Sequence, residues 1–507
     1  MTGIDPAGEH LAAFAASTPD KPAVVMHPSG VVRTYRELDD ASIRLARVLR
    51  ERGLGPADHV AVLLDNQPEF YDVVWAAQRI GCFVTPINWH LTADEAGYIV
   101  SDCDATALFA AARLGDVLDQ MGDHLDAVST RVCVDGDLPG FERYDELVAG
   151  VDAGDLEDQR EGGWMFYSSG TTGKPKGILP PLLDVALGAR SFLTMLLTGL
   201  FGFTSEVVYL SPAPLYHAAP AGWTVGVQRL GATAVVMDRF DPLELLAAIE
   251  RHRVTHVQLV PTHMIRLLKL TDEERSRHDL SSLQMVIHAA APCPVEVKQQ
   301  FLDWVGPIVH EFYSGSEGAG FTYIGPEDWL AHPGSVGTSM TGAIHILDDD
   351  GNEVPVGDEG EVWFETNRTF EYHKDPGKTE AVWDRDRGWS WLGDVGRVDA
   401  EGYLYLTDRA SHMIISGGVN IYPREIEDVL VMHPAVTDVG VVGTPDPDMG
   451  EQVTAFVQLR DDGSATEQEL IDWCRERLSH FKCPREVRFV DELPRLPTGK
   501  LLKRLLV

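Results

Sequence analysis

Cysteine is scarce in this chain: six residues in 507 (Cys82, Cys103, Cys133, Cys293, Cys474 and Cys483), with no CxxC pair and no Cys/His grouping at zinc spacing. That excludes a disulfide-stapled scaffold and a zinc ribbon, and it predicts reduced, buried thiols. Basic residues are also few, 42 against 78 acidic ones, for a formal net charge of -36. Repulsion at that charge disfavours nucleic acid and anionic membrane surfaces as partners, so an anionic ligand must be held by local groups. Long apolar runs are absent. The longest, Phe192 to Phe203 (FLTMLLTGLFGF), falls short of the ~20 residues that a bilayer span needs, so no integral membrane segment is expected. It reads as a buried helix or as one wall of an apolar pocket. Met1 to His10 lacks the basic and then apolar pattern of a signal peptide, and cytoplasmic residence is the expectation. Two chemical motifs are missing as well: GxxxxGK followed by Ser or Thr, and GxSxG, so neither a P-loop enzyme nor a serine hydrolase of the elbow type is expected.

What is present is the composition of a soluble enzyme, 44% hydrophobic and 24% charged, in a chain long enough for one large domain and a smaller one. Tyr35 to Arg52 and Phe70 to Ile80 carry apolar residues at helical spacing, and His59 to Leu64 between them reads as a short buried strand. The alternation recurs in Ala232 to Met237 (strand), Pro242 to His252 (helix), His256 to Val260 (strand) and Met285 to Ala289 (strand), which predicts a layered α/β fold. His252 and His256 stand four apart, but Val254-Thr255 between them favour a turn into a strand over a metal pair on a helix. From Gly342 the texture changes to short alternating strands, with Asp350-Gly351 marking a hairpin, so a β-rich subdomain is expected. After Leu404 to Asp408 come strand-like Val436 to Val442 and Val453 to Leu459 and a helix from Thr466 to Leu478, a compact α+β unit. The boundary falls near Asp408 to His412, giving a large N-terminal domain, 1–408, and a small mobile C-terminal domain, 409–507.

The segment Trp164-Met165-Phe166-Tyr167 leads into Ser168-Ser169-Gly170-Thr171-Thr172-Gly173-Lys174-Pro175-Lys176-Gly177, an apolar strand and then a loop of glycines, hydroxyls and lysines. Glycines let backbone N–H groups approach phosphate oxygens, hydroxyls donate further hydrogen bonds and lysines supply charge. That composition suits a polyphosphate and suits a flexible surface turn about equally; the order of the residues decides between them. The run SSGTTGKPKG resembles the phosphate-binding signature of the adenylate-forming superfamily, which includes acyl-CoA synthetases, luciferases and the adenylation domains of peptide synthetases. Further segments similar to that family follow in its order from Tyr35-Arg36-Glu37-Leu38 to Lys500.

The resemblance implies a role for each matching position. Ser168, Ser169, Gly170, Thr171, Thr172, Gly173, Lys174 and Lys176 would hold the phosphates of ATP. Ser211 to His217 resembles the family's aromatic segment and would put His217 beside the acyl carboxylate and the adenylate, although alone it would read as a structural histidine. Ala290, Ala291 and Pro292 would pack on adenine. Glu311, Phe312, Tyr313 and Ser314 lead into the counterpart of the family's YGxTE segment, in which Tyr313 would stack on the base and the Ser316 hydroxyl, in place of the usual threonine, would bond the α-phosphate. Glu317 would ligate Mg2+ through hard oxygen. Asp394 would accept both ribose hydroxyls, and Arg409 would reach ribose or phosphate. Gly417 and Gly418 would border the pantetheine path of coenzyme A, with Val419 where many relatives have Glu. Ser411 and His412 occupy the hinge, where Lys or Asp is common. Lys500 would contact the carboxylate and phosphate during adenylation.

The implied enzyme is an AMP-forming acyl-CoA synthetase whose ligands are ATP, Mg2+, coenzyme A and a small-molecule carboxylic acid. Phe192 to Phe203 and Ala218 to Trp223 suggest a hydrophobic acid: medium- or long-chain fatty, aryl or steroid-side-chain. Three alternatives stand beside it: a ligase that loads a carrier protein or an amino-acid adenylation module, a non-catalytic ATP-binding relative, and a luciferase-like oxygenase. A homodimer is the default oligomeric state.

Overall fold

The computed structural model describes residues 8–168, 175–416, 419–447, 449–460, 463–495 and 501–506. Of the candidate residues, Ser169, Gly170, Thr171, Thr172, Gly173, Lys174, Gly417, Gly418 and Lys500 lie outside the described residues. The chain divides into two compact units, one made of Met1–Leu259, Lys269–Ile287 and Thr369–Thr379, the other of Val260–Leu268, His288–Arg368 and Glu380–Val507.

In the first unit, one parallel sheet runs in the order Glu142–Arg143, Thr130–Cys133, Ala105–Ala110, His59–Leu63, Phe83–Pro86 and Gly163–Trp164. Every residue of His59–Leu63 is buried, as a strand covered on both faces requires, and this is why its sequence is continuously apolar after the histidine. The helix Tyr35–Glu51 starts at a capping box: Thr34 accepts from the Glu37 N–H, and the Glu37 carboxylate accepts from the Thr34 N–H. Tyr35, fully buried, donates its hydroxyl to the carbonyls of Gln228 and Ala232 at 3.1 and 2.7 Å, fixing this helix on the element that follows His217. A second sheet of the unit orders Met285–His288, His256–Leu259, Val208–Ser211, Thr233–Met237, Pro22–His27 and Val32–Thr34. The helix Pro242–His252 ends at Arg253 in the left-handed conformation, and His256 belongs to the next strand, as the intervening turn predicts.

The apolar run at 192–203 departs from expectation. Its helix spans only Phe192–Gly199 and is not wholly buried, since Met195 is 48% exposed. Gly199 and Gly202 interrupt the helical pattern, Gly202 at φ +63°, and the buried weight passes to Phe201 and Phe203 beyond the helix end.

In the second unit, an antiparallel sheet orders Ile344–Leu347, Gly360–Glu365, Trp389–Val398 and Trp383–Asp384, with Leu404–Arg409 also paired to Trp389–Val398. Asp350-Gly351 does form a turn, with Gly351 at φ +78° and the Asp348 carboxylate accepting from the N–H groups of Asp350 and Asn352. It sits inside the long connection 348–359, so it is not a two-residue hairpin. Strands Val309–Ser314, Phe321–Ile324 and Thr338–Ser339 pair antiparallel in that order. Further along, Val419–Ile421, Ile414–Ser416, Gly450–Leu459 and Val436–Asp446 make a sheet to which Glu486–Phe489 adds in parallel. Helices Pro423–Val431 and Glu467–Arg475 bury Ile426, Leu430, Leu470 and Cys474 in one hydrophobic cluster with that sheet. The second helix is shorter than its sequence suggests at both ends, since Thr466 is its N-cap and 476–478 turn out of it.

The mixture of helices and sheets in both units is the α/β class expected. All six cysteines are free and buried. Among the described residues no helix is long and apolar enough to cross a membrane.

Candidate functional site

Within the first unit, Ser168 and Lys176 face each other across an antiparallel hairpin formed by Phe166–Ser168 and Lys176–Leu179, so the two described ends of the glycine-rich loop lie together. The second hairpin strand pairs in turn with Glu371–Tyr372. The Lys176 ammonium stands 5.2 Å from the centre of the Tyr372 ring, and a Cβ at Gly177 would come within 2.4 Å of the Met165 methyl and 2.9 Å of the Tyr167 ring, so a side chain there would displace both. Tyr167 donates its hydroxyl to Asp102 at 2.7 Å; burial, then the neighbouring Cys103 and Asp102, push its phenol far above the ordinary range.

His217 is the N-cap of the helix Ala218–Arg229, whose Ala221 N–H bonds the His217 carbonyl at 3.0 Å. Its ring centroid is 4.4 Å from that of Tyr216. Sequence reasoning missed what holds this turn. Asn66 accepts from the Leu215 N–H at 2.8 Å and donates to the carbonyls of Ala213 at 3.2 Å and Met237 at 2.8 Å. One amide thereby uses three of its four hydrogen-bonding sites to pin the segment before His217. A lone Asn between a strand and a helix gives no signal in the sequence.

Within the second unit, three residues far apart in sequence meet. Tyr313 donates its hydroxyl to Asp394 Oδ2 at 2.5 Å, and Arg409 Nε lies 2.9 Å from Asp394 Oδ1. Asp394 and Arg409 are direct partners in the antiparallel ladder, and Arg409 also bonds the Leu392 carbonyl at 2.6 Å. Gly393 has φ +87°, and a Cβ there would sit 3.3 Å from the Arg409 guanidinium. A side chain at 393 would be strained and would crowd the arginine. Burial pushes the Asp394 carboxyl up, against the pull of Arg409 and Tyr313, and burial with the Asp394 carboxylate pushes the Tyr313 phenol up. A carboxylate offers about four acceptor sites, so Asp394 keeps capacity for two more donors.

The strand bearing Tyr313 runs into a loop with Ser316 exposed. Ser314 bonds the Gly320 carbonyl at 2.6 Å, closing the loop. A Cβ at Gly315 would come within 2.6 Å of Glu317 Oε2 and 3.0 Å of Leu392, so glycine at 315 leaves the room in which the Glu317 carboxylate sits. The same strand turns Glu311 inward. Lys298 Nζ lies 2.6 Å and His288 Nε2 3.3 Å from the same Glu311 oxygen, and the lysine is also 4.8 Å from the Trp329 ring centre. Burial works against charge on Glu311, but His288 and Lys298 hold its carboxyl down at about 2. Glu311 therefore spends its side chain inside the protein. Phe312 stacks on Phe321 at 5.2 Å. Ala290, exposed between Ala289 and Ala291, adopts φ +73°, a left-handed conformation that costs a non-glycine residue on the order of 1–3 kcal/mol.

Ser411 lies in a single turn, Ala410–His412, after the strand Leu404–Arg409. The Asp408 carboxylate there accepts from the Arg409 N–H at 2.7 Å and the Arg424 N–H at 3.1 Å and stands 3.3 Å from His412, while the Arg424 guanidinium donates to the Leu406 carbonyl at 2.8 Å. Among the described residues no three His, Cys, Asp or Glu side chains are grouped to hold a metal ion.

Comparison with known proteins bears on this arrangement. The AMP-binding enzyme family matches residues 11–371, and the AMP-binding enzyme C-terminal domain family matches 425–500. A long-chain-fatty-acid–CoA ligase, FadD13, of Mycobacterium tuberculosis (strain ATCC 25618 / H37Rv) is 31% identical over 97% of this chain and 96% of its own. A feruloyl-CoA synthase of an Amycolatopsis species is 33% identical over 95% of this chain and 94% of its own. Among solved structures, the amide bond synthetase McbA of Marinactinospora thermotolerans shares the fold with a TM-score of 0.83 at 29% identity, over 98% of each chain.

Proposed function

The chain belongs to the AMP-binding enzyme family, and from that premise we propose that it joins a hydrophobic carboxylic acid to coenzyme A in two steps. The first makes an acyl-adenylate and releases pyrophosphate; the second transfers the acyl group to the thiol and releases AMP. It is an AMP-forming acid–thiol ligase. The observation that carries the assignment of the nucleotide site is the meeting of Tyr313, Asp394 and Arg409, which leaves a buried carboxylate with spare acceptor sites.

A carboxylate is a poor acyl donor because its charge repels nucleophiles and oxide is a poor leaving group. Attachment to AMP removes both obstacles. The acid's oxygen attacks the α-phosphorus, the bond to pyrophosphate breaks, and the step needs orientation and charge neutralisation more than a protein nucleophile. In this reading Asp394 accepts the ribose hydroxyls, Arg409 holds Asp394 and reaches the ribose or phosphate, and the Tyr313 ring lies against adenine. Ala290, Ala291 and Pro292 form the opposing wall, and Glu311, its side chain committed to Lys298, contributes through its backbone with Phe312 and Ser314. Ser316 bonds the α-phosphate. Ser168 to Gly173, Lys174 and Lys176 take the outer phosphates, Lys500 bridges the acid and the α-phosphate, and His217 lies beside the acyl carboxylate.

Mg2+ usually takes one or two carboxylates together with phosphate oxygens, and Glu317, seated against Gly315, offers hard oxygen of that kind. Glu317 would hold it, and the ion would neutralise phosphate charge. For the second step the domain 409–507 rotates about Ser411, withdrawing Lys500 and bringing Gly417 and Gly418 to the pantetheine path. A medium- or long-chain fatty, aryl or steroid-side-chain acid is the proposed substrate class, supported by relatives named for fatty acids and for ferulate. A homodimer and a cytoplasmic location belong to the same proposal and rest on the sequence.

The similarity to an amide bond synthetase supports a second reading, in which an amine replaces coenzyme A as acceptor. Pyrophosphate release with ATP and magnesium, across acids from acetate to long-chain, aromatic and sterol acids, with and without coenzyme A, decides between them. Acyl-CoA and AMP formed only with coenzyme A support the ligase. Adenylate that coenzyme A never discharges, but an amine or a carrier protein does, would replace it.

A further inference from the structure

We infer that the Tyr216 hydroxyl is a specificity-determining donor to the acyl substrate, selecting acids that carry a hydroxyl or carbonyl oxygen beyond the reacting carboxylate. The inference rests on the ligase reading and deepens it. Tyr216 is 6% exposed, and its hydroxyl is buried with no hydrogen-bond partner among the described residues.

Four other phenols of the same unit are satisfied, whereas the hydroxyl of the fully buried Tyr71 is also unmet, so it is position beside His217 and not burial alone that singles out Tyr216. Tyr35 bonds two carbonyls, Tyr144 bonds Asp72 at 3.1 Å, Tyr167 bonds Asp102 at 2.7 Å, and Tyr209 bonds Gln258 at 3.1 Å. Leaving a buried donor unmade is destabilising, and such groups persist where something other than the resting protein satisfies them. Burial pushes the Tyr216 phenol well above the ordinary range, so it remains a donor throughout the neutral range.

Position and rigidity identify the ligand. Tyr216 precedes His217, with ring centroids 4.4 Å apart, and Asn66 pins Ala213 and Leu215 just before it, so the phenol is presented from a fixed turn. Its surroundings in sequence are apolar, with Leu215, Ala218, Ala219 and Pro220 on either side of the pair. An apolar pocket with one placed donor orients its ligand through that donor. His217 and Lys500 already answer the carboxylate in the ligase reading, which leaves the phenol for an oxygen further along the acid. A site built to bond an oxygen rejects the analogue that lacks it far more strongly than an apolar pocket distinguishes sizes.

The test uses the full-length enzyme and matched acid pairs: dodecanoate with 12-hydroxydodecanoate, cinnamate with 4-hydroxycinnamate, and 4-phenylbutanoate with 4-oxo-4-phenylbutanoate. The reading is the ratio of kcat/KM for acyl-CoA formation between the oxygenated and plain member of each pair. In the wild type the ratio should favour oxygen in at least one pair, and Tyr216→Phe should reduce that ratio about 10- to 100-fold. Thermal melting of the ligand-free variant should be unchanged or raised, because an unmet hydroxyl has been removed. An unaltered ratio overturns the inference, whatever happens to the absolute rates. So does a fall of several degrees in Tm, which would mean that the hydroxyl already has a partner in the protein. Absence of acyl-CoA from every acid with the wild type would instead overturn the ligase reading, and the inference with it.

Discussion

Two tyrosines show how differently this molecule treats its candidate nucleotide residues and its candidate acyl residues. Tyr313 is locked in a closed set, its hydroxyl on Asp394 and Asp394 on Arg409. Tyr216 is held just as firmly, through the turn that Asn66 pins, yet its hydroxyl is left unmet. The first arrangement suits a ligand that never changes, since every donor and acceptor can be preset around one nucleotide. The second suits a ligand that varies between related enzymes, because one unmet donor can be gained or lost without disturbing the fold.

The contrast can be broken at several points. The largest effect should come from Lys500→Ala, which is expected to slow adenylation about 100- to 1,000-fold for every acid while sparing thioester formation from supplied acyl-adenylate. Equal loss of both half-reactions would remove the role given to Lys500. Next is a stability effect confined to the nucleotide side. With its carboxyl held at about 2, Glu311 adds stability above the ordinary carboxylate value near 4.3, and that stability is lost as pH falls towards 2. Lys298→Met leaves the buried Glu311 carboxylate with His288 alone and should cost up to about 3–5 kcal/mol at neutral pH. Its carboxyl then rises above the ordinary value, so the variant should gain stability from pH 7 towards pH 4 where the wild type does not. Urea unfolding at both pH values checks this, and parallel profiles would show that the pair is not coupled.

Asp394→Asn should lower kcat/KM for ATP about 10- to 100-fold, to the same extent with every acid. A loss that depends on the acid would put Asp394 on the wrong side of the comparison. The smallest effect is expected at Asn66. Asn66→Asp keeps the acceptor for Leu215 but loses both donations, and should raise KM for the acid a few-fold to about 10-fold with little change in KM for ATP. Asn66→Ala should do more in the same direction. If both Michaelis constants rise together, Asn66 supports the fold in general and not the His217 turn.

Much of the fold was legible because its signals are local. The helix at Tyr35–Glu51 follows from an apolar stripe at helical spacing and the strand His59–Leu63 from an unbroken apolar run, and sequence and structure agree there to within a residue or two. The run at 192–203 differs from expectation for the opposite reason: composition predicts burial, but two glycines decide where the helix stops. Site residues were found through the order of their segments, which says nothing of contact. That Asp394 faces Arg409 follows from strand register, and that Lys298 neutralises Glu311 follows from a helix packing under a strand; neither leaves a mark at fixed spacing. Asn66 and the unmet hydroxyl of Tyr216 are visible only once carbonyls 147 and 171 positions away from Asn66 have been brought beside it.

Arg424 carries a final consequence. Its amide and guanidinium grip Asp408 and Leu406 from a helix that begins after Ser411, so they span the point about which the proposed rotation turns. On that proposal each catalytic cycle would release and remake that grip. A residue that meets neither nucleotide nor acid would thus serve as the timekeeper of the enzyme, setting how long it dwells in each half of its work.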